Sequence, residues 1–262
     1  VNSGNVVQIT GVGAEKPAID GGWDGSGYYD GKQLFHIKTG GELSIDNVIL
    51  THGRSSGYGG AFKVAGTLTL TNCVVADNGA MKGGAFSLDT SDGSGTVILT
   101  NSVVSGNTAD DGGAFYSSSM DFTMTLTNCV VSSNTALRGG AFYLQLGQAT
   151  LTDTVVSNNV ATGTQDYSGG GGFRIHWART TLTNCVVSGN SATGSKGGGI
   201  RIESTLGVTL TNCVVSSNSA NDGGGIYYST GEFRIADTSM DGNTPNGFTI
   251  SSSLGTIIRI NM

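Results

Sequence analysis

The chain has 262 residues, with 44 glycines, only 2 prolines, a charged fraction of 12% and a formal net charge of -6. The glycines show no collagen period and the chain is too rich in Val, Ile, Leu and Phe for a disordered polymer. Lys and Arg are too sparse for a general nucleic-acid partner, and no apolar run approaches the roughly 20 residues of a membrane span, so direct membrane insertion is not expected.

In chain order, residues 1–31 come first, with Trp23, Tyr28 and Tyr29 set among glycines. This stretch reads as a cap or first coil, because an uncapped repeat array exposes sheet edges and core. The chain starts at Val1 without a charged and apolar signal segment, as expected of a mature or excised piece. Residues 32–250 then repeat a single sentence. Aligning on Phe35, Phe62, Phe86, Phe115, Phe142, Phe173, Ile200, Ile226 and Phe248 gives spacings of 27, 24, 29, 27, 31, 27, 26 and 22 residues. Within each unit apolar residues fall at every second place, as at Leu68 and Leu70, Cys73 and Val75, Phe86 and Leu88. That is the period of strands, and no 3.6-residue period competes with it. Three short strands and three corners fill one unit, and such units bury a core only by stacking. The expected fold is all-β, a single right-handed parallel β-helix of about nine coils. Residues 251–262, with Ile257, Ile258 and Ile260, read as a partial last coil or cap.

Stacking turns the alignment into columns. Leu70, Leu99, Leu126, Leu151, Leu182 and Leu210 should point inward, as should Val75, Val104, Val131, Val156, Val187 and Val215. Asn78, Asn107, Asn134, Asn159, Asn190, Asn218 and Asn243 follow three places after that Val column. Asn tolerates left-handed geometry and bonds backbone, so stacked amides at a corner account for them without a ligand. The Gly pairs at 59–60, 83–84, 112–113 and 139–140 read as corners needing positive φ or close packing. Cys73, Cys129, Cys185 and Cys213 share a column with Ser102 and Thr154, a pattern of buried free thiols. With no CxxC, no dense Asp cluster and no neighbouring His, neither a metal nor another cofactor is expected.

Three outward arrays are candidates for function. After each Phe or Ile stand Tyr143, Arg174, Arg201 and Tyr227, and two places on stand His176 and Glu203. Arg174, His176, Arg201 and Glu203 should therefore be neighbours flanked by the two tyrosines. Such a patch suits an acidic polysaccharide, with Arg neutralising carboxylates and a base removing a sugar proton, or else a solvated face with cross-strand pairs. It adjoins the longest unit, whose insertion spans Thr162 to Ser168. The second array is the pairs Thr69 and Thr71, Thr125 and Thr127, Thr150 and Thr152, Thr181 and Thr183, Thr209 and Thr211, interrupted by Ile98 and ending at Arg234. The third is an apolar column, Ile49, Val74, Val103, Val130, Val155, Val186 and Val214, which reads as a partner surface or a face for self-association.

The tetrapeptide GGAF at 59, 83, 112 and 139, with VxxN at Val75 to Asn78, Val104 to Asn107 and Val131 to Asn134, resembles the GGA(I/L/V) and FxxN signatures of polymorphic outer membrane protein repeats. The likeness runs over about residues 35 to 250, with Val in place of Phe and GGG at 170–172, 197–199 and 223–225. It implies the β-helical passenger of chlamydial-type autotransporter adhesins, hence a secreted or cell-surface protein whose partner is a host or cell-surface protein or glycan. The paired threonines are similar to the TxT ladder of β-solenoid antifreeze proteins, which implies an ice surface as the alternative partner. A polysaccharide lyase or hydrolase is the enzymatic alternative.

Overall fold

A computed structural model describes residues 1–13, 15–22, 24, 32–88, 93, 95–203, 205–251 and 256–260, with backbone alone described at 205 and 256–260. All pairing between its strands is parallel, and each strand pairs with its equivalents one unit earlier and one unit later in the chain, as Leu99 does with Leu70 and Leu126. The chain therefore coils into a parallel β-solenoid of about eight turns. Trp23, Tyr28 and Tyr29 lie outside the described residues. The rest of the N-terminal segment contributes strands: Val6–Thr10 pairs with Glu42–Asp46, and Ala18–Asp20 with Ile49–Thr51.

Each full coil carries four strands, one more than the alternation predicts. One coil runs through Thr67–Thr71, Val74–Ala76, Gly79–Lys82 and Phe86–Leu88, and equivalents of these build four sheets. We name them the Thr, Val, corner and Phe sheets. The unforeseen corner sheet has seven strands among the described residues. Its segments are short, polar and Gly-containing, without apolar alternation, so they read locally as a bend; only pairing with the next coil, Gly79 to Thr108 and Lys82 to Asp111, makes them strands.

The core is filled by columns. The Leu and Val columns are fully buried, and so are Phe62, Phe86, Phe115, Phe142 and Phe173, whose rings stack face to face from one coil to the next with centroids 4.5 to 5.1 Å apart. At the Gly corner the two glycines are constrained differently. Gly112 has φ +63°, whereas a Cβ on Gly113 would lie 2.1 Å from the carbonyl oxygen of Gly140 in the next coil. Both need the absence of a side chain, since a Cβ on Gly112 would lie 2.0 Å from the Phe115 carbonyl oxygen, and Gly112 needs the conformational freedom as well.

The buried Asn column is a continuous ladder. Asn134 Oδ1 accepts from the backbone N–H and Nδ2 of Asn107 at 3.0 and 2.9 Å, and its own Nδ2 is shared among Asn159 Oδ1, Val104 O and Ser132 O at 2.9, 3.1 and 3.0 Å. The left-handed residues, however, stand elsewhere. They are the positions just before the ladder (Asp77, Ser133, Asn158, Ser217) and a second column, Asn72, Asn101, Asn128, Asp153, Asn184 and Asn212, all with φ between 51° and 57°. In that second column Asn128 Nδ2 donates to Asn101 Oδ1 at 2.8 Å, an exposed amide ladder beside the Thr sheet.

The four cysteines are buried free thiols. Their column has a shared chemistry: Cys73 Sγ, Ser102 Oγ, Cys129 Sγ and Thr154 Oγ1 each donate to the carbonyl two residues back, at 3.2, 2.9, 3.3 and 2.9 Å. A small side chain with one donor is what the corner requires, which explains why Cys, Ser and Thr alternate there. Burial pushes the Cys73 and Cys129 thiols above the ordinary range, and Cys185 is raised by its bond to Cys213 and by burial. The same bond lowers Cys213 to about 7, so what keeps the four from a thiol reagent such as DTNB is burial: none should be labelled in the folded protein and all four after denaturation.

Candidate functional surfaces

At the Gly corner the outer faces of the corner and Phe sheets turn toward each other, and the expected patch lies in that inner angle. The register is as the spacing implies: Tyr143 pairs with Arg174, Arg174 with Arg201, Arg201 with Tyr227, and His176 with Glu203. The four candidates are brought together, but not on a solvated face. Arg174 and Arg201 are 6% and 3% exposed, and Tyr143 and Tyr227 are buried.

Cations from the corner sheet fill the angle. The Arg174 guanidinium lies 4.8 Å from the Tyr143 ring centroid and Arg138 lies 5.7 Å from it, while Lys196 and Arg201 stand 5.0 and 5.7 Å from Tyr227. Arg138 clasps Asp111 with two bonds of 2.5 and 2.8 Å. Glu203 accepts from Arg174 Nε and Nη2 at 3.2 and 3.0 Å and from Arg201 Nη2, and Arg201 Nη1 donates to Ser168 O. Burial raises Asp111 above the usual carboxylate range despite Arg138 pulling it down. The ring faces that would stack on a sugar are thus covered by guanidinium and ammonium groups, and the arginines that would meet a uronate are already neutralised. Alternating cations, acids and rings act here as the seal of a concave corner, where each buried charge needs a partner.

His176 is half-buried, with Nδ1 lacking a partner, and its ring meets Trp177 edge-on at 5.7 Å. Burial holds its pKa below that of a free imidazole, against an opposing pull from Glu203. Because the folded value is lowered, the stability linked to this group is fully present above about pH 6.5 and is lost as pH falls through the folded value. In an NMR titration His176 should therefore give a midpoint below 6.5. The stability of the wild type relative to His176→Gln should decline on acidification over that window, and a midpoint at or above 6.5 would refute the assignment.

The insertion at 162–168 interrupts the corner sheet, where the strand shrinks to Val160–Ala161. With Leu137 and Arg138 it lines a cavity of about 400 Å³, and it holds Arg201 through Ser168 and Lys196 through Asp166.

The Thr array is a flat outer face. Thr71, Thr100, Thr127, Thr152, Thr183 and Thr211 form an unbroken column over six coils, in register along the Thr sheet. Beside it run Thr69, Ile98, Thr125, Thr150, Thr181 and Thr209, with Arg234 next, and on the far side Thr67, Thr96 and Thr123 start a third column that continues as Gln148 and Arg179. The threonines of the two main columns are partly exposed. Around the corner, Val74, Val103, Val130, Val155, Val186 and Val214 stack in register, partly to fully exposed, with Ala76, Ser105, Ser132, Ser157, Ser188 and Ser216 beside them.

A surface that periodicity did not reveal lies where the Phe sheet turns into the Thr sheet. Met120, Leu146 and Trp177 from the loops of successive coils, and Leu206 from the start of the next Thr-sheet strand, Thr205–Thr211, lie along one ridge, with Gln148 and Arg179 at its edge. Met120, Trp177 and Leu206 are 74%, 51% and 60% exposed. Trp177 has φ +63°, a geometry that costs a bulky residue roughly 1–2 kcal/mol. These residues occupy the irregular part of each unit, so no column could be written for them; a Trp in the short turn after His176 was the available signal.

The fold and its exposed columns define a β-solenoid repeat protein whose outer faces are regular over many coils. The chain belongs to the right-handed β-helix family, whose model matches residues 28–178, more than half of its length. No curated protein and no solved structure matches it.

Proposed function

We propose that this is a non-enzymatic extracellular repeat protein, of adhesin or structural type, that works by presenting its flat outer faces to a partner at a cell surface. The observation that carries the reading is the contrast between two sets of outward residues. The arginines that could meet a substrate are buried and share Glu203 in the inner angle, with His176 half-buried beside them, whereas the Thr and Val columns stay accessible and in register over six coils. Stacked parallel strands hold equivalent side chains about 4.8 Å apart along the axis, a rigid lattice that loses little entropy when a flat partner settles on it.

The same Thr lattice favours a second reading, ice binding, in which methyl and hydroxyl groups repeat in two directions. The test compares the wild type with Thr150→Lys/Thr181→Lys and with Val130→Glu/Val186→Glu. Each is applied to a panel of immobilised matrix proteins and glycans and to thermal hysteresis with ice-crystal imaging. Binding to a panel member that is lost in a face variant and kept in His176→Ala is the expected result. Shaped crystals and hysteresis abolished by the Thr substitutions would move the assignment to ice. Turnover of a polysaccharide that disappears in His176→Ala or Arg174→Ala would overturn the non-enzymatic reading.

A further inference from the structure

The apolar ridge at the Phe-to-Thr turn has a different chemistry from the flat faces. Its members come from four consecutive coils: Met120, then Leu146 and Gln148, then Trp177 and Arg179, then Leu206. With coils about 4.8 Å apart it is about 14 Å long, the span of about four to five residues of extended peptide. The repeat pays a backbone penalty to hold Trp177 out in solvent, since a left-handed φ is strained for a residue as bulky as Trp.

Charge gives the second half of the argument. Arg179 is exposed and its guanidinium has no hydrogen bond or ion pair among the described residues, whereas Arg174 and Arg201 are both engaged by Glu203. It lines both the apolar cavity of the ridge, about 420 Å³, and the adjoining polar one formed with Thr181, Thr209 and Glu232, where Glu232 is taken up by Arg234 at 2.6 Å. A free guanidinium beside exposed Trp, Met and Leu is the composition of a protein-binding hot spot. Trp and Arg anchor such patches, and Met adapts to an aliphatic neighbour. A sugar would use a flat ring but would gain little from Met120, Leu146 and Leu206.

We propose that this ridge docks an extended peptide segment of a partner protein in which a large apolar side chain stands next to an Asp or Glu. The apolar group seats among Trp177, Leu146 and Leu206, and the carboxylate pairs with Arg179. This goes beyond the flat-face reading and does not depend on it.

The test uses the full chain and an array of short synthetic peptides that permute one Leu or Phe against Asp, Glu, Asn and Gln, with hits measured by fluorescence anisotropy. Peptides joining Leu or Phe to an acid should bind at micromolar concentration, about tenfold or more tighter than their Asn or Gln counterparts. Trp177→Gly and Arg179→Gln should each weaken binding by about tenfold or more, with Arg179→Gln alone erasing the preference for acid over amide. Glycine is at ease at φ +63°, so Trp177→Gly should keep the wild-type circular dichroism and melting behaviour. Absence of peptide binding, equal binding of acidic and amide peptides, or binding untouched by Trp177→Gly would overturn the proposal. So would a glycan array on which binding, rather than peptide affinity, is lost in Trp177→Gly. Val130→Glu/Val186→Glu, around the corner on the Val face, should leave peptide affinity unchanged, so the ridge and that flat face fail separately.

Discussion

Replacing Asn134 by alanine is expected to lower stability by about 3–5 kcal/mol, because one side chain serves several buried groups and each one left unsatisfied costs about 1–3 kcal/mol. Asn107 N–H loses its acceptor and Asn107 Nδ2 keeps only Val75 O, while the carbonyls of Val104 and Ser132 lose a donor, at a site where Asn107, Asn134 and Val104 are fully buried and only Ser132 is partly exposed. For a chain of this size that corresponds to a fall of about 10 °C in the first thermal transition. A solenoid couples each coil mainly to its neighbours, so protection from hydrogen exchange should collapse first in the coils of Asn107 and Asn159. The matched control is Asn128→Gly in the exposed ladder, where a left-handed φ of 51° suits glycine and the amide bonds are open to solvent. If both variants unfold at the same denaturant concentration, the buried ladder does not hold the corner in the way described.

Glu203→Gln should be nearly as damaging, at about 3–5 kcal/mol, by leaving a buried positive pair without its counter-charge. The carboxylate is the common acceptor of Arg174 and Arg201, whose side chains are 7% and 4% exposed, and the glutamine amide keeps the shape while offering one oxygen and no charge. The two guanidiniums would then face each other across adjacent strands without the carboxylate that bridges them, held by Ser168 O, the amide oxygen and the Tyr143 and Tyr227 rings. The contrast is Glu232→Gln at the exposed pair with Arg234, where about 0–1 kcal/mol is at stake because water screens both partners. Denaturant midpoints for the two variants decide the matter: if Glu203→Gln is no worse than Glu232→Gln, the inner angle is not sealed by this pair. The result bears on function too, since it would return Arg174 and Arg201 to the pool of groups free to meet a ligand.

What the sequence by itself determined is whatever depends on period and stacking. A strand alternates with period 2, so Leu126, Val131 and Phe142 had to share one side of the wall, and a unit of about 27 residues repeated in the chain had to stack like on like. Register followed from that, which is why the Thr, Val and Asn columns and the Arg174, His176, Arg201 and Glu203 neighbourhood were all legible before any coordinate. The shared column of Cys129 with Ser102 and Thr154 was legible in the same way, although its reason, a donor for the carbonyl two residues back, was not.

Only the tertiary structure decided how the sheets face one another. Gly79–Lys82 has no alternation of its own, so a fourth strand arises there solely because Thr108–Asp111 lies one coil away to pair with it. The turn at Gly112 then folds the corner sheet against the Phe sheet, and residues that alternation marks as outward, Tyr143, Arg174 and Arg201, end up buried. Alternation tells which side of a strand a residue occupies, but whether that side meets water depends on the angle to the next sheet, a property of pairings between residues distant in the chain. The ridge of Met120, Trp177 and Leu206 has the same origin: two loop residues and one at the start of a strand, at different spacings, become one surface only when their coils are stacked.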